Sequence, residues 1–286
     1  MKIAVAIVHG VGDTDPDFAD EMIAELSARF AAATDVPAAD ALVFRAVYWG
    51  PTLQLPENAL WHQLKKGGEL DFTSLRRFMV SFAADALAYQ PLPDERSIYD
   101  EVHAEFATKL KELAAEAGED APLVIISHSL GTVISSNYLY DLANPRKDLH
   151  GPETRAAQGD EPSALERGET LAYFVTMGSP LALWSLRFKD FGRPIQMPPA
   201  KLKKHYPDLV PLAAWDNFFD PDDIIGYPLK CLNKAYSETV TRDLPINVGS
   251  ILTSWTPMSH VEYWTDNDLT KPVSDKIAEL WRAANA

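Results

Sequence analysis

The sequence predicts an α/β fold, a mostly parallel central sheet with helices on both faces and a helical cap insertion. Three observations predict it. Short runs of mainly apolar residues at 3–8, 123–127 and 171–177, the second ending in a serine, have the composition of strands buried on both sides. Longer segments with apolar residues at helical spacing lie between such runs, so strands and helices alternate along the chain. Finally, strand after strand ends in a turn rich in glycine, serine or aspartate, which is where an open parallel sheet binds ligands.

Residues 3–8 form the first strand, which ends in His9-Gly10-Val11-Gly12-Asp13-Thr14, a turn able to expose backbone N–H groups. Asp15 reads as an N-cap with Pro16 at the first helical position, and Phe18, Met22, Leu26 and Phe30 recur on one helical face. Residues 42–48 are a second strand. From Trp49 to about Gln90 the pattern changes: Pro51 and Pro56 break it, and Phe72, Leu75, Met79, Phe82 and Ala86 then line one helical face. Residues 49–96 are therefore expected to be a cap or lid insertion. Ser97-Ile-Tyr-Asp100 resembles a capping box ahead of a helix with the stripe Ile98, Val102, Phe106, Leu110 and Leu113, stopped at Gly118.

The strand at 123–127 should turn directly into a helix running from Leu130 to about Ala143. Residues 144–169, rich in proline, glycine and charge, are expected as an exposed loop. The strand at 171–177 ends in Gly178-Ser179-Pro180, and the irregular, proline-broken stretch 181–211 is expected as a second cap or lid insertion. Residues 213–219 form a further strand followed by Asp220-Pro-Asp-Asp223. A short strand at 245–249 belongs near the sheet edge because of its proline, and a helix from Ser274 to Ala284 closes the chain. No repeat or shift of composition divides the sequence, so residues 1–286 are expected to form a single domain.

Composition narrows the function. The 286 residues are 47% hydrophobic, ample for one large core. A net charge of −15 argues against a nucleic-acid partner and against docking on anionic lipid. The one cysteine, Cys231, cannot form an intrachain disulfide, and nothing points to an oxidising compartment. No apolar run approaches a membrane span, so a soluble, cytoplasmic protein without stable membrane insertion is expected. There is no H-E-x-x-H, cysteine cluster or close histidine pair, so neither a metal nor another cofactor is expected. His9-Gly-Val-Gly12 lacks the third glycine and the lysine that would make it a dinucleotide or phosphate loop.

The strand ends supply a serine, acids and a histidine in the order Ser…Asp…His. Ser127-His128-Ser129-Leu130-Gly131 reads as a sharp strand-to-helix turn with Ser129 at its apex. A serine hydroxyl becomes a strong nucleophile only when an imidazole takes its proton, and a carboxylate must hold that imidazole in the correct tautomer. Ser129 is the candidate nucleophile and His260, after the last strand, the candidate base. His62 and His103 lie in helices away from strand ends, His150 and His205 in irregular segments. His128 points away on a tight turn and reads as structural. Two acids remain open, Asp220 directly at the strand end and Asp223 three residues on, whereas Asp222 reads as solvated and Glu262 and Asp266 lie beyond the last strand.

The set Val8-His-Gly-Val-Gly12, Ser127-His-Ser-Leu-Gly131, Gly178-Ser-Pro180, Asp223-Ile-Ile225 and Ser259-His260 with Tyr263-Trp264 resembles the α/β-hydrolase family, and within it lipase- and esterase-like enzymes. The resemblance favours Asp223 over Asp220, because Asp223 matches the family's Asp-x-Val element. It implies an oxyanion hole built from the backbone N–H groups of Leu130 and Val11. Ser127 stands where the family usually has glycine, and Ile224 where such lipases often have proline. The chain opens on the His-Gly strand, so a smaller sheet is expected.

The expected function is a serine hydrolase acting through an acyl-enzyme on a small-molecule or lipid carboxylic ester. An amidase or thioesterase would use the same residues. A catalytically silent binding or scaffold member of the fold is the alternative of a different class, and it would need none of the three. The sequence carries no sign of an oligomeric state.

Overall fold

A computed structural model describes residues 1–10, 14–90, 98–144, 161–249, 260 and 262–286, with only the backbone course given for 52–57, 74, 75 and 78. Among these residues six strands form one sheet: β1 (Ile3–Val8), β2 (Leu42–Val47), β3 (Leu123–His128), β4 (Leu171–Met177), β5 (Ala214–Phe219) and β6 (Arg242–Pro245). All neighbours pair in parallel in the order β2-β1-β3-β4-β5-β6. The chain thus steps from β1 outward to β2, then returns to the other side of β1 and builds outward through β3. That reversal opens a crevice at the carboxyl ends of β1 and β3.

Among the described residues, ten α-helices accompany the strands: α1 (Asp20–Thr34), α2 (Ala38–Ala41), α3 (Pro51–Lys66), α4 (Thr73–Ala88), α5 (Ile98–Ala117), α6 (Leu130–Ala143), α7 (Leu181–Ser185), α8 (Leu202–His205), α9 (Lys234–Thr239) and α10 (Asn267–Ala284). Because successive strand side chains point to opposite faces, β1 divides its residues between two cores. Ala4, Ala6 and Val8 meet Val102, Phe106 and Leu110 of α5 and Val133 and Ile134 of α6. Ile3, Val5 and Ile7 face the other core, which holds Met22, Leu26 and Phe30 of α1 with Val273, Ile277 and Leu280 of α10. Helices therefore cover both faces, and no described helix is long and apolar enough to cross a membrane.

Several boundaries differ from the sequence reading. Asp15 does not cap α1: its carbonyl accepts from Phe18 N in a turn, and the helix begins at Asp20. Pro51 and Pro56 do not prevent α3, since Pro51 occupies the first turn, where its missing N–H costs nothing. The last strand is Arg242–Pro245, not 245–249, and α10 starts at Asn267, where Asp266 accepts from Asp268 N at 2.8 Å, well before Ser274. Ser97 lies outside the described residues.

Helix α4 is rotated part-way from its expected stripe, of which Phe82 and Ala86 are half-buried, Phe82 edge-on to Trp184. Phe72 and Met79 are 80% and 43% exposed, while Ser81, Asp85 and Tyr89 are buried. Tyr89 anchors this face, its hydroxyl hydrogen-bonded to His103 Nε2 at 2.7 Å and its ring stacked on Tyr99 at 4.9 Å, both in α5. The exposed loop expected at 144–169 lies outside the described residues over 145–160. Its described end, 161–169, is instead packed, with Leu165 and Glu169 buried. Charge suggested solvent there, but the Glu169 carboxylate is bound by Arg167 Nε and Lys201 Nζ, each at 2.6 Å. Burial raises its pKa, and these bonds outweigh burial to bring it down to about 2.

Candidate active site

The crevice at the ends of β1 and β3 is where the strand-to-helix turn lies. Ser129 has φ 52° and ψ −129°, a conformation that ordinary residues avoid. The surroundings hold it there. Its N–H donates to Met177 O at 3.0 Å, and its carbonyl accepts from Thr132 N at 2.9 Å and Thr132 Oγ1 at 2.7 Å. Close approach explains the small residues nearby: a Cβ on Gly131 would fall 2.3 Å from His9 O, and one on Gly10 2.4 Å from Ser129 Cβ. Ser127 is fully buried, and its hydroxyl pairs with Ser135 Oγ of α6 at 2.7 Å. This pair adds a satisfied polar contact between β3 and α6.

His260 Nε2 lies 2.7 Å from Ser129 Oγ, and its Nδ1 lies 2.8 Å from Asp223 Oδ2 and 3.0 Å from Oδ1. An ionised carboxylate can only accept, so the proton sits on Nδ1 and the Nε2 lone pair faces the serine hydroxyl. All three residues are buried. Asp223 also accepts from Ile225 N at 2.9 Å and from the Tyr263 hydroxyl at 2.9 Å. Burial pushes its pKa up, but His260, Ile225 N and Tyr263 together hold it below the usual carboxylate range.

Asp220, the alternative acid, is committed elsewhere. Its two oxygens accept from Asp222 N at 2.7 Å and Val248 N at 2.8 Å, which fixes the turn after β5. Asp222 is exposed and Asp266 caps α10, so neither joins the site. Leu130 opens α6, so its amide has no carbonyl one helical turn back and can serve an anion. Val11, the second expected oxyanion donor, lies outside the described residues, as does Ser259.

Two further residues complete the setting, and neither role was visible in the sequence. The Tyr263 hydroxyl, besides donating to Asp223, accepts from Asp220 N at 2.8 Å, so it joins the acid to the turn that presents it. His9, expected as part of the oxyanion turn, is a buried strut. Its Nδ1–H donates to Gly10 O at 2.8 Å, and Nε2 accepts from Trp49 N and Gly50 N, each at 3.2 Å. The imidazole stacks on Trp49 at 4.7 Å and 4°, and burial pushes its pKa down to about 3. His9 therefore joins the ends of β1 and β2 as a neutral ring. The strand-end position of His9 and the aromatic run Tyr48-Trp49 were the only local signals.

The arrangement can move a proton from a serine hydroxyl to an imidazole whose other nitrogen is held by a carboxylate. In comparisons with known proteins, no family model and no curated protein matches this chain.

Proposed function

We propose that this protein is a serine hydrolase cleaving carboxylic esters through an acyl-enzyme, an α/β-hydrolase of the esterase or lipase type. The observation that carries the reading is the unbroken hydrogen-bonded chain Ser129 Oγ, His260 Nε2, His260 Nδ1, Asp223, set on a strained turn. A scaffold has no use for a serine held at φ 52° against an imidazole, since such strain persists only where the surroundings enforce it.

In the proposed reaction Ser129 Oγ attacks the ester carbonyl carbon as His260 Nε2 takes the hydroxyl proton. The carbonyl π electrons move to oxygen, where the Leu130 amide, with that of Val11 as the expected second donor, stabilises the negative charge. Collapse of the tetrahedral intermediate expels the alkoxide, which takes the proton from His260 and leaves as alcohol. Water then repeats the sequence on the acyl-enzyme, releasing the acid and restoring Ser129. Asp223 stays ionised throughout and stabilises the imidazolium. The substrate class is a small-molecule or lipid ester. The strongly negative chain disfavours nucleic acid as a substrate, and its single cysteine supports a cytoplasmic setting.

A fluorophosphonate probe should label Ser129 covalently, and Ser129→Ala should abolish labelling and the hydrolysis of chromogenic esters. A chain-length series of esters with amide and thioester counterparts then identifies the preferred bond. Labelling that survives Ser129→Ala, or no response to any member of the series, would overturn the reading.

A further inference from the structure

We propose that His128 is a positioning residue for His260, holding the backbone of the base through a hydrogen bond from its ring Nε2–H to the His260 carbonyl. The role rests on the reading of Ser129, His260 and Asp223 as the reacting group. His128 is the last residue of β3 and is buried, with Nε2 2.7 Å from His260 O. A carbonyl can only accept, so the proton of this ring is on Nε2. Burial, followed by the neighbouring His260, brings its pKa down to about 3, which keeps the ring neutral.

Adjacent residues of one strand end therefore grip the base at two points. His128 binds its backbone carbonyl, and Ser129 Oγ meets its Nε2 at 2.7 Å. Asp223 supplies the third point at Nδ1. Bonds to the two ring nitrogens orient the imidazole but do not by themselves tie the backbone of His260 to β3. The bond from His128 fixes that backbone to the peptide that carries the nucleophile, so the distance between Oγ and Nε2 is set within two consecutive residues. The ring is itself enclosed, 5.6 Å from Tyr263 and 5.2 Å edge-on from Trp264, so its donor has one direction. A histidine that merely filled space would make no demand on where its N–H lies.

The test compares His128→Gln, whose amide can place an N–H near the position of Nε2–H, with His128→Asn, whose amide stops one bond short. Three quantities are measured on the full chain: kcat/KM on a chromogenic ester, the rate of fluorophosphonate labelling, and the downfield proton resonance of His260 Nδ1–H. Asn should lower both rates on the order of 10- to 100-fold, as expected for a reacting group displaced by under an ångström, and broaden the resonance. Gln should restore the rates to within a few-fold of the parent and return the resonance. Equal impairment by both variants, or a parent-like resonance in Asn, would overturn the role. If the hydrolase reading alone fails, the parent shows neither turnover nor labelling, yet the resonance still separates Asn from Gln. Should Asn not fold, His128→Met, similar in length and without a donor, takes its place.

Discussion

Two buried carboxylates in and after β5 share one plan and differ in one partner. Asp216 accepts from the Tyr173 hydroxyl at 2.8 Å and is gripped by Arg242 through Nε at 2.9 Å and Nη2 at 2.5 Å. Asp223 accepts from the Tyr263 hydroxyl at 2.9 Å and from His260 Nδ1 at 2.8 Å. Each is therefore a carboxylate between a phenol and a basic side chain. The guanidinium is permanently charged and its side chain is 49% exposed, so the first trio can do nothing but hold β5 to β6. The imidazole is 1% exposed, can gain and lose a proton, and has a serine on its far side. Chemistry comes from the partner and from what lies beyond it, not from the buried acid.

Substitution should separate the two trios most sharply at the acids. Asp223→Asn should reduce kcat on ester substrates on the order of 10⁴-fold, because the amide can stabilise the wrong imidazole tautomer. Asp216→Asn should leave turnover within a few-fold of the parent and lower the unfolding free energy by about 1–3 kcal/mol, a range discounted for the half-exposed arginine. Steady-state kinetics and urea denaturation on both variants test this, and equal kinetic losses would erase the distinction.

Titration of the buried histidines gives the next largest effect. His9 and His128, both brought down to about 3, stay neutral in the folded state while the unfolded chain protonates them near 6.5. The unfolded state thus binds more protons, and stability falls as pH drops from about 6.5 toward about 3, at about 1.4 kcal/mol per pH unit for each ring. Asp223, held below its ordinary value, contributes stability that is present above about 4 and lost as pH falls through its folded value. Arg242 stays charged throughout. Urea midpoints between pH 7.5 and 4.5 should slope accordingly, and His128→Gln should remove one ring's share. A flat profile would contradict the burial of these rings as neutral groups.

The phenols differ more modestly. Tyr263→Phe deprives Asp223 of a donor and leaves Asp220 N without its acceptor, so about tenfold in kcat and about 1–3 kcal/mol of stability should be lost. Tyr173→Phe should show a stability loss without the kinetic one, read by the same two assays. The smallest effect lies outside both trios: Ser127→Gly should cost about 1 kcal/mol in urea denaturation, because Ser135 loses its hydroxyl partner.

Legibility in the sequence followed the range of the interactions. Five of the six described strands lie within a residue of their expected bounds, because each is dominated by apolar side chains, with Arg45 in β2 and Asp216 and Asn217 in β5 the exceptions that the surrounding apolar residues outweigh. The sixth, Arg242–Pro245, carries no apolar run, being half-buried at the sheet edge. Helix α4 covers its expected segment, but its most buried edge runs along Ser81, Asp85 and Tyr89, which are polar enough to read as solvent-facing until His103 and Tyr99 are beside them. Ser129, Asp223 and His260 were selected from strand-end positions and from a resemblance, and the structure brings those three together. Tyr263 and His128 were present in the motifs, but their bonds reach 40 and 132 residues along the chain.

By itself the sequence determined the alternation of strand and helix, the turn that strains Ser129, and the order in which serine, acid and histidine follow one another. These depend on residues within a few positions of each other, through backbone sterics and the period of the apolar pattern. Only the tertiary structure decided which aspartate meets His260, which face of α4 turns inward, and that Tyr263 and His128 hold the acid and the base. Those outcomes depend on directional hydrogen bonds between groups distant in sequence, whose positions are set by the packed sheet.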